Sequence, residues 1–195
     1  MTAAGTTIGA ARPDLPPAPR AQGWALAALV LGMVSTMAFA GIAVLATTTS
    51  GGGRFQHGAD YWYTACGVPI AIAEMVLVSA LWVLQDGRAG RLGRTGMVLT
   101  VTALAVLTVR LVASVVLGVE EQWGGTYVIA SLVTFVGHGL FAAGSWRVGL
   151  LPRWLLGVWP VVWMIGSFAA QGATPLLLTA FYAAMAVLLA RRARR

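Results

Sequence analysis

Six apolar runs, each close to the length that a membrane-spanning helix requires, account for most of this 195-residue chain. A helix that crosses the hydrocarbon core needs about 20 mostly apolar residues, because each residue advances about 1.5 Å along the axis. The runs cover residues 24–46, 63–85, 96–118, 127–147, 154–170 and 174–190. Only 10% of the residues are charged, too few to cover the surface of a water-soluble protein of this size. The sequence therefore predicts an all-α integral membrane bundle of six transmembrane helices.

The arginines predict how these helices are oriented. All 13 basic residues are arginine. All but Arg54 and Arg110 lie in the two tails, in alternate connections between the runs or, for Arg147, at the end of the fourth run. Placing the N-terminus in the cytoplasm puts these groups on the cytoplasmic side, as the positive-inside rule requires. We therefore expect a multi-pass protein of the cell membrane with both termini inside. We interpret the net charge of +7 as attraction to the lipid bilayer, and we expect no nucleic acid partner.

The expected organisation has three parts: a disordered cytoplasmic tail at 1–23, a six-helix transmembrane domain at 24–190 and a basic cytoplasmic tail at 191–195. The first part is rich in Ala, Pro, Thr and Gly and has no apolar periodicity. The fifth run is short and contains Pro160, and Pro175 opens the sixth. A re-entrant hairpin in place of the last two spans is therefore an alternative.

Three ionisable side chains lie inside the apolar runs: Glu74, Arg110 and His138. A charge at the centre of a spanning helix costs about 2.5–3.5 kcal/mol on insertion scales, so we expect these side chains to face the bundle interior. Counted from the outer ends of their runs they lie at similar depths, which predicts a Glu74–Arg110 ion pair with His138 nearby. Such residues often mark functional sites, and a structural clamp between helices is an equally weighted alternative.

The fourth run carries a stripe of polar and small side chains. The stripe consists of Tyr127, Ser131, Thr134, His138, Ala142 and Ser145. Steps of three and four residues place them on one helix face, and Gly137, Gly139 and Gly144 permit close approach of another backbone or of a ligand. For the stripe as a whole we favour a tight helix interface over the lining of a pocket. Trp159 and Trp163 lie deeper than the boundary tryptophans, and we interpret them as packing residues, with the roof of an apolar cavity as the alternative.

The sequence offers little support for a metal or cofactor site. The single Cys66 excludes an intramolecular disulfide and a cysteine metal cluster. His57 and Asp60 have no third ligand nearby, and one intramembrane histidine cannot supply bis-histidine haem ligation. No nucleotide-binding glycine loop or hydrolase motif occurs. We therefore expect no cofactor.

One stretch of the chain resembles a pattern in known proteins. It comprises Gly137 to Ala142, followed by Gly149 to Trp154. This stretch of 18 residues resembles uncharacterised bacterial multi-pass membrane proteins, in which a Gly-His transmembrane helix precedes a short cytoplasmic Leu-Pro-Arg turn. The resemblance implies a helical bundle and implies no activity.

Four functions follow as hypotheses, and the weakest is transport, because the sequence shows no internal repeat or broken helix. In the first, the bundle binds a small, largely apolar or anionic ligand in an intramembrane cavity. The predicted lining is Glu74, Arg110, His138, Ser114, Ser131 and Thr134. In the second, the protein is a noncatalytic subunit or interaction protein, and its buried polar residues clamp its helices for a membrane-protein partner. In the third, Glu74 and His138 form the acid–base pair of an intramembrane enzyme.

Overall fold

A computed structural model describes residues 19–46, 53–120, 124–170 and 172–193. These residues form six α-helices and one two-stranded ladder. The helices are α1 (Pro19–Leu45), α2 (Gly58–Leu84), α3 (Gly90–Leu117), α4 (Gly125–Ser145), α5 (Arg153–Trp163) and α6 (Pro175–Ala193). A π-helical turn, Met164–Phe168, continues α5 directly. The strands β1 (Gly53–Arg54) and β2 (Val119–Glu120) pair antiparallel.

Successive helices run in opposite directions and pack side by side, and α6 closes the ring by packing against α1. We call the end where β1 and β2 pair the ladder end. The opposite end carries the α2–α3 and α4–α5 connections, and we call it the basic end. Its exposed arginines are Arg20, Arg88, Arg91, Arg94, Arg147, Arg153, Arg191 and Arg192. The described arginines among those predicted on one side therefore lie at one end of the bundle, while Arg12, Arg194 and Arg195 lie outside the described residues.

The outer surface of the bundle is apolar. Large side chains such as Val109, Val116 and Ile129 are more than half exposed. An apolar surface of this extent is rare on a soluble monomer and suits contact with lipid. The helices α1, α2, α3, α4 and α6 are long and apolar enough to cross a membrane. The fold is thus an all-α bundle compatible with a membrane protein.

The fifth helix is the shortest, with 11 α-helical residues and five in the π turn. It nevertheless runs from the basic end to the first turns of α2 and α4. Phe168 stacks on Tyr127 with ring centroids 5.7 Å apart, and the Tyr63 hydroxyl donates to the Ala170 carbonyl at 2.9 Å. The segment after α5 therefore reaches the ladder-side half before α6 returns.

Helix boundaries differ from the apolar runs. Helix α1 begins at Pro19, so residues 19–23, which were predicted as part of the disordered tail, are helical. Proline suits the first position of a helix, because a backbone N–H at that position would have no partner within the helix. Helix α6 continues through Arg191 and Arg192, which favour the negative end of the helix dipole. The remainder of both predicted tails lies outside the described residues. Helix α2 begins at Gly58, five residues before its run.

Glycines bring α3 and α4 into close contact. A Cβ atom on Gly137 would lie 2.8 Å from the backbone nitrogen of Thr100, and one on Gly144 would lie 2.6 Å from Cα of Gly93. Every member of the α4 stripe is buried. The predicted tight interface is confirmed. At Gly139 a Cβ atom would have no neighbour within 4 Å, so among the described residues no other backbone approaches this glycine.

Candidate functional site

A buried carboxylate lies at the centre of the bundle. Glu74 of α2 is 0% exposed. The Tyr182 hydroxyl of α6 donates to its Oε1 at 2.8 Å, and Trp159 Nε1 of α5 donates to the same oxygen at 3.4 Å. Oε2 lies 3.4 Å from His138 Nε2 of α4. We call these four residues the Glu74 cluster. One side chain thus connects four helices through three polar contacts.

Aromatic rings enclose the histidine of this cluster. The His138 ring lies 5.0 Å from the Trp159 ring and 5.5 Å from the Trp163 ring, measured between centroids. Phe141 meets Trp159 edge to face at 5.9 Å. His138 is itself 0% exposed, and its Nδ1 has no hydrogen-bond partner in the described part of the chain. The imidazole is therefore held by packing on its faces and by Glu74 at one nitrogen.

A glycine on α1 makes room for the tyrosine of the cluster. A Cβ atom on Gly32 would lie 2.6 Å from the Tyr182 ring. One turn along α1, Thr36 Oγ1 lies 2.6 Å from Thr179 Oγ1 of α6. The α1–α6 contact therefore fixes the level at which Tyr182 reaches Glu74.

Arg110 does not join the cluster. The Glu74 carboxylate has three hydrogen-bond partners among the described residues, and Arg110 is not one of them. Leu111, the next residue on α3, packs over Gly67 of α2, which lies seven residues, or about 10 Å, from Glu74 along the helix. Because α2 begins at Gly58, Glu74 lies more than one turn deeper than its run indicated. The expected common level holds for Glu74 and His138 but not for half-buried Arg110.

A separate cavity of about 60 Å³ lies between the Glu74 cluster and the ladder end. We call it the ladder-side cavity. Its apolar walls come from α1, α2 and α3. They consist of Phe39, Ile70, Ala71, Leu104, Leu107 and Leu111. Since a cavity of roughly 10–15 Å³ holds one water molecule on this measure, the space suits a molecule of a few heavy atoms.

The polar part of the cavity wall carries hydroxyl and indole groups. It consists of Tyr63, Thr64, Ser114, Tyr127, Trp163 and Ser167. Of the six predicted ligand residues, only Ser114 lines this cavity. Thr134 donates to the Ala130 carbonyl of its own helix at 2.9 Å. Ser131 is fully buried, and its Oγ has no partner among the residues described. The observed lining therefore shares only Ser114 with the predicted one. Its Tyr127 lies on the same face of α4 as the predicted Ser131 and Thr134.

Trp163 separates the cavity from the Glu74 cluster. Its indole is 3% exposed, lines the cavity and contacts His138. Its Nε1 has no acceptor within the described ranges. The π turn begins directly after it and contributes Ser167 to the wall. Because π turns and unpaired buried donors are both uncommon in proteins, this wall is irregular in its backbone and in its hydrogen bonding.

Sequence reasoning missed two members of the cluster as ligands of Glu74, namely Trp159 and Tyr182. It treated Trp159 as packing and did not single out Tyr182. Trp159 and Trp163 lie one turn apart on α5. This spacing is the sequence signal that places both side chains on one face of the helix. Trp163 also lines an apolar cavity, which was the alternative interpretation of these tryptophans.

His57 and Asp60, which the sequence did not favour as a metal site, lie at the start of α2. Asp60 Oδ2 accepts hydrogen bonds from the backbone nitrogens of Gln56 and His57, each at 2.9 Å, and so caps the start of α2. In the part of the chain that the structure covers, no group of three His, Cys, Asp or Glu side chains could hold a metal ion.

No protein family, curated protein or solved structure matches the chain.

Proposed function

We propose that the protein binds a small, uncharged, largely apolar molecule in the ladder-side cavity, within a membrane. The single observation that carries this proposal is the cavity itself, bounded by five helices and closed on one side by Trp163. The Glu74 cluster beneath it ties α2, α4, α5 and α6 together. In this proposal the cluster is the scaffold that keeps the cavity walls apart, and the cavity is the site.

The wall chemistry selects an uncharged occupant. None of the residues that line the cavity carries an ionisable carboxylate, guanidinium or imidazole. Transfer of an unpaired ion into such a site costs several kcal/mol or more, whereas apolar surface gains about 25 cal/mol per Å² on burial. Arg110, the predicted anchor for an anion, does not line the cavity. We therefore propose a neutral ligand in place of the anionic one.

The acid–base enzyme is the weaker alternative. Glu74 and His138 lie 3.4 Å apart, near the limit of a hydrogen bond. General acid–base catalysis requires that these groups contact the substrate. Both are fully buried, and neither lines the cavity. The interaction-protein alternative needs an open face of small residues, but Gly93, Gly137 and Gly144 are used between α3 and α4.

The test uses 2-methyl-1-butene, a five-carbon apolar probe, with the full chain in lipid nanodiscs. The indole N–H resonance of Trp163, assigned through Trp163→Phe, reports occupancy. We expect a saturable shift at Trp163, with any non-saturable shift of the exposed Trp62 measuring partition into lipid. Absence of a saturable shift at Trp163 would overturn the proposal.

A matched pair of variants locates the site. Ala71 is buried and lines the cavity, so Ala71→Leu fills part of the space and should abolish the saturable shift. Ala105 lies on the exposed face of α3, so Ala105→Leu adds the same atoms toward lipid and should leave the shift unchanged. Equal behaviour of the two variants would place the probe elsewhere.

We also propose six spans in the cell membrane with both termini in the cytoplasm. The segregation of exposed arginines to the basic end supports this orientation. In a Cys66→Ala background, a membrane-impermeant maleimide should label Arg54→Cys in intact cells and Arg91→Cys only after permeabilisation. The reverse pattern would contradict the orientation and leave the cavity proposal untouched.

A further inference from the structure

A surface groove runs between α1 and α2 on the side of the bundle away from the ladder-side cavity. Its volume is about 510 Å³. Ala21 and Trp24 line it from α1, and Met75, Val76 and Val83 line it from α2. The groove lies on the outer, apolar surface of a bundle whose helices are long enough to cross a membrane. A lipid acyl chain is the apolar molecule that this surface meets at the highest concentration.

Serine and tryptophan set the polarity of the groove. Ser79, its one hydroxyl residue, donates to the Met75 carbonyl of its own helix at 2.7 Å and so offers its proton to no ligand. Trp24 is 65% exposed at the end nearer the arginines. Indoles favour the level of lipid headgroups, because one edge is apolar and the other donates a hydrogen bond. The groove is therefore apolar along its length and meets the headgroup level at Trp24.

Two arginines lie beside that end of the groove. Arg20 lies one helical turn before Trp24, on the same face of α1. Arg88 follows Val83 by five residues, and its Nε donates to the Gln85 carbonyl at 3.1 Å. Both side chains are exposed. Asp86 lies in the same turn, but among the described residues it forms no ion pair with Arg88. The two guanidinium groups are thus available to an anion.

We propose that the α1–α2 groove and these two arginines form a binding site for an anionic phospholipid. One acyl chain lies along the groove, and the headgroup phosphate contacts Arg20 and Arg88. Arginine forms paired hydrogen bonds with phosphate oxygens, and the groove directs the chain so that the headgroup meets both side chains. The remaining exposed arginines of the basic end belong to α3, α4, α5 and α6 or their connections, and not to the two helices that form this groove.

The experiment measures lipid binding to the full chain by native mass spectrometry from detergent micelles, with dioleoyl phosphatidylglycerol and dioleoyl phosphatidylcholine as probes. We expect one phosphatidylglycerol to bind more tightly than phosphatidylcholine. Arg20→Gln and Arg88→Gln should each weaken phosphatidylglycerol binding about fivefold, the effect of one arginine near a membrane surface. Arg153→Gln removes the same charge at the start of α5, across the ring, and should leave this affinity unchanged.

Two further arms separate the sources of affinity. Ser79→Phe obstructs the groove and should weaken both lipids, whereas soluble glycerol phosphate should not compete because it lacks the chain. Equal effects of all three arginine variants would show general attraction to the basic end and overturn the proposal. Equal affinity for the two lipids, or competition by glycerol phosphate, would overturn it as well.

Discussion

The Glu74 cluster and the ladder-side cavity are neighbouring parts of one bundle interior, yet their polar groups are satisfied differently. In the cluster the carboxyl group of Glu74 contacts three polar side chains from three other helices. Across the Trp163 ring, the cavity has hydroxyl and indole groups around an open space, and Trp163 Nε1 has no acceptor in the described chain. The cluster is close-packed, although His138 Nδ1 has no partner in the described chain, and the cavity retains open space.

In the proposed function, this difference separates the scaffold from the site. In an apolar interior a carboxyl group that lost all its hydrogen-bond partners would be more costly than a single unpaired N–H, so the partners of Glu74 matter to the stability of the fold. A single indole N–H can stay unpaired at a cost of about 1–3 kcal/mol. In the proposed function the open space is therefore the indicator of ligand binding, because unpaired nitrogens occur in both regions, at Trp163 Nε1 and at His138 Nδ1 of the described chain. Substitutions in the two regions should consequently differ in their effect on stability.

The largest loss of stability is expected for Glu74→Ala. The change leaves Tyr182, Trp159 and His138 without their acceptor. Interhelical hydrogen bonds in membrane proteins average about 0.6 kcal/mol and reach about 1.7, and a cavity adds to the loss. We expect the free energy of unfolding, measured by titration with sodium dodecyl sulfate, to fall by about 2–4 kcal/mol.

The control for this variant is Ser79→Ala, which removes a hydrogen bond made only within α2. It should change the unfolding free energy by less than about 0.5 kcal/mol. Glu74→Gln keeps an acceptor oxygen and should lie between the two variants. If Glu74→Ala unfolds as easily as Ser79→Ala, the cluster is not the scaffold.

The next largest effect is expected at the α3–α4 contact. Gly137→Ala places a methyl group 2.8 Å from the backbone nitrogen of Thr100, and backbone cannot turn aside as a side chain can. We expect a loss of about 1–3 kcal/mol in the same titration. Gly139→Ala, two residues away, meets no atom within 4 Å and should be neutral or slightly stabilising through helix propensity. Equal losses for both would show that helix distortion, not contact, decides the result.

The helices and the buried face of α4 were predictable because both depend on local pattern. Runs of about 20 apolar residues predict the helices, and steps of three and four predict the face that contains Ser131 and His138. The meeting of Glu74 with His138 also followed, since both are too polar for lipid and lie at similar depths. The sequence therefore determined which side chains face inward.

The partners and levels of these side chains were less predictable. The start of α2 at Gly58 lies in polar sequence beyond the apolar run, so Glu74 was placed too close to Arg110. Contact between Tyr182 and Glu74 depends on the level of α6 against α1, which Gly32 fixes through space. Hydropathy carries no information about where α2 begins or about the level of α6 against α1. The cavity was also unpredictable from the sequence, because it forms where the side chains of five helices leave space between them.

A smaller effect is expected for Tyr182→Phe. The variant removes one of three donors to Glu74 and keeps the ring that packs over Gly32. The carboxylate retains Trp159 and His138, so the unfolding free energy should fall by about 1 kcal/mol. Binding of 2-methyl-1-butene should be unchanged, because Tyr182 does not line the cavity. If Tyr182→Phe abolished probe binding, the Glu74 cluster and the ladder-side cavity would have to be regarded as one site.

The smallest change in stability is expected for Gly67→Ala at the cavity wall. A Cβ atom there meets Leu111 Cδ1 at 2.9 Å, as close as the contact that makes Gly137→Ala costly. Leu111, however, lines an open space into which the end of its side chain can move. Relief of the contact and the gain in helix propensity should nearly cancel, leaving the unfolding free energy within about 0.5 kcal/mol of the parent protein. The displaced leucine should instead occupy part of the cavity and weaken 2-methyl-1-butene binding. If Gly67→Ala proves as destabilising as Gly137→Ala, the cavity walls are as rigid as the α3–α4 contact, and the contrast between the two regions fails.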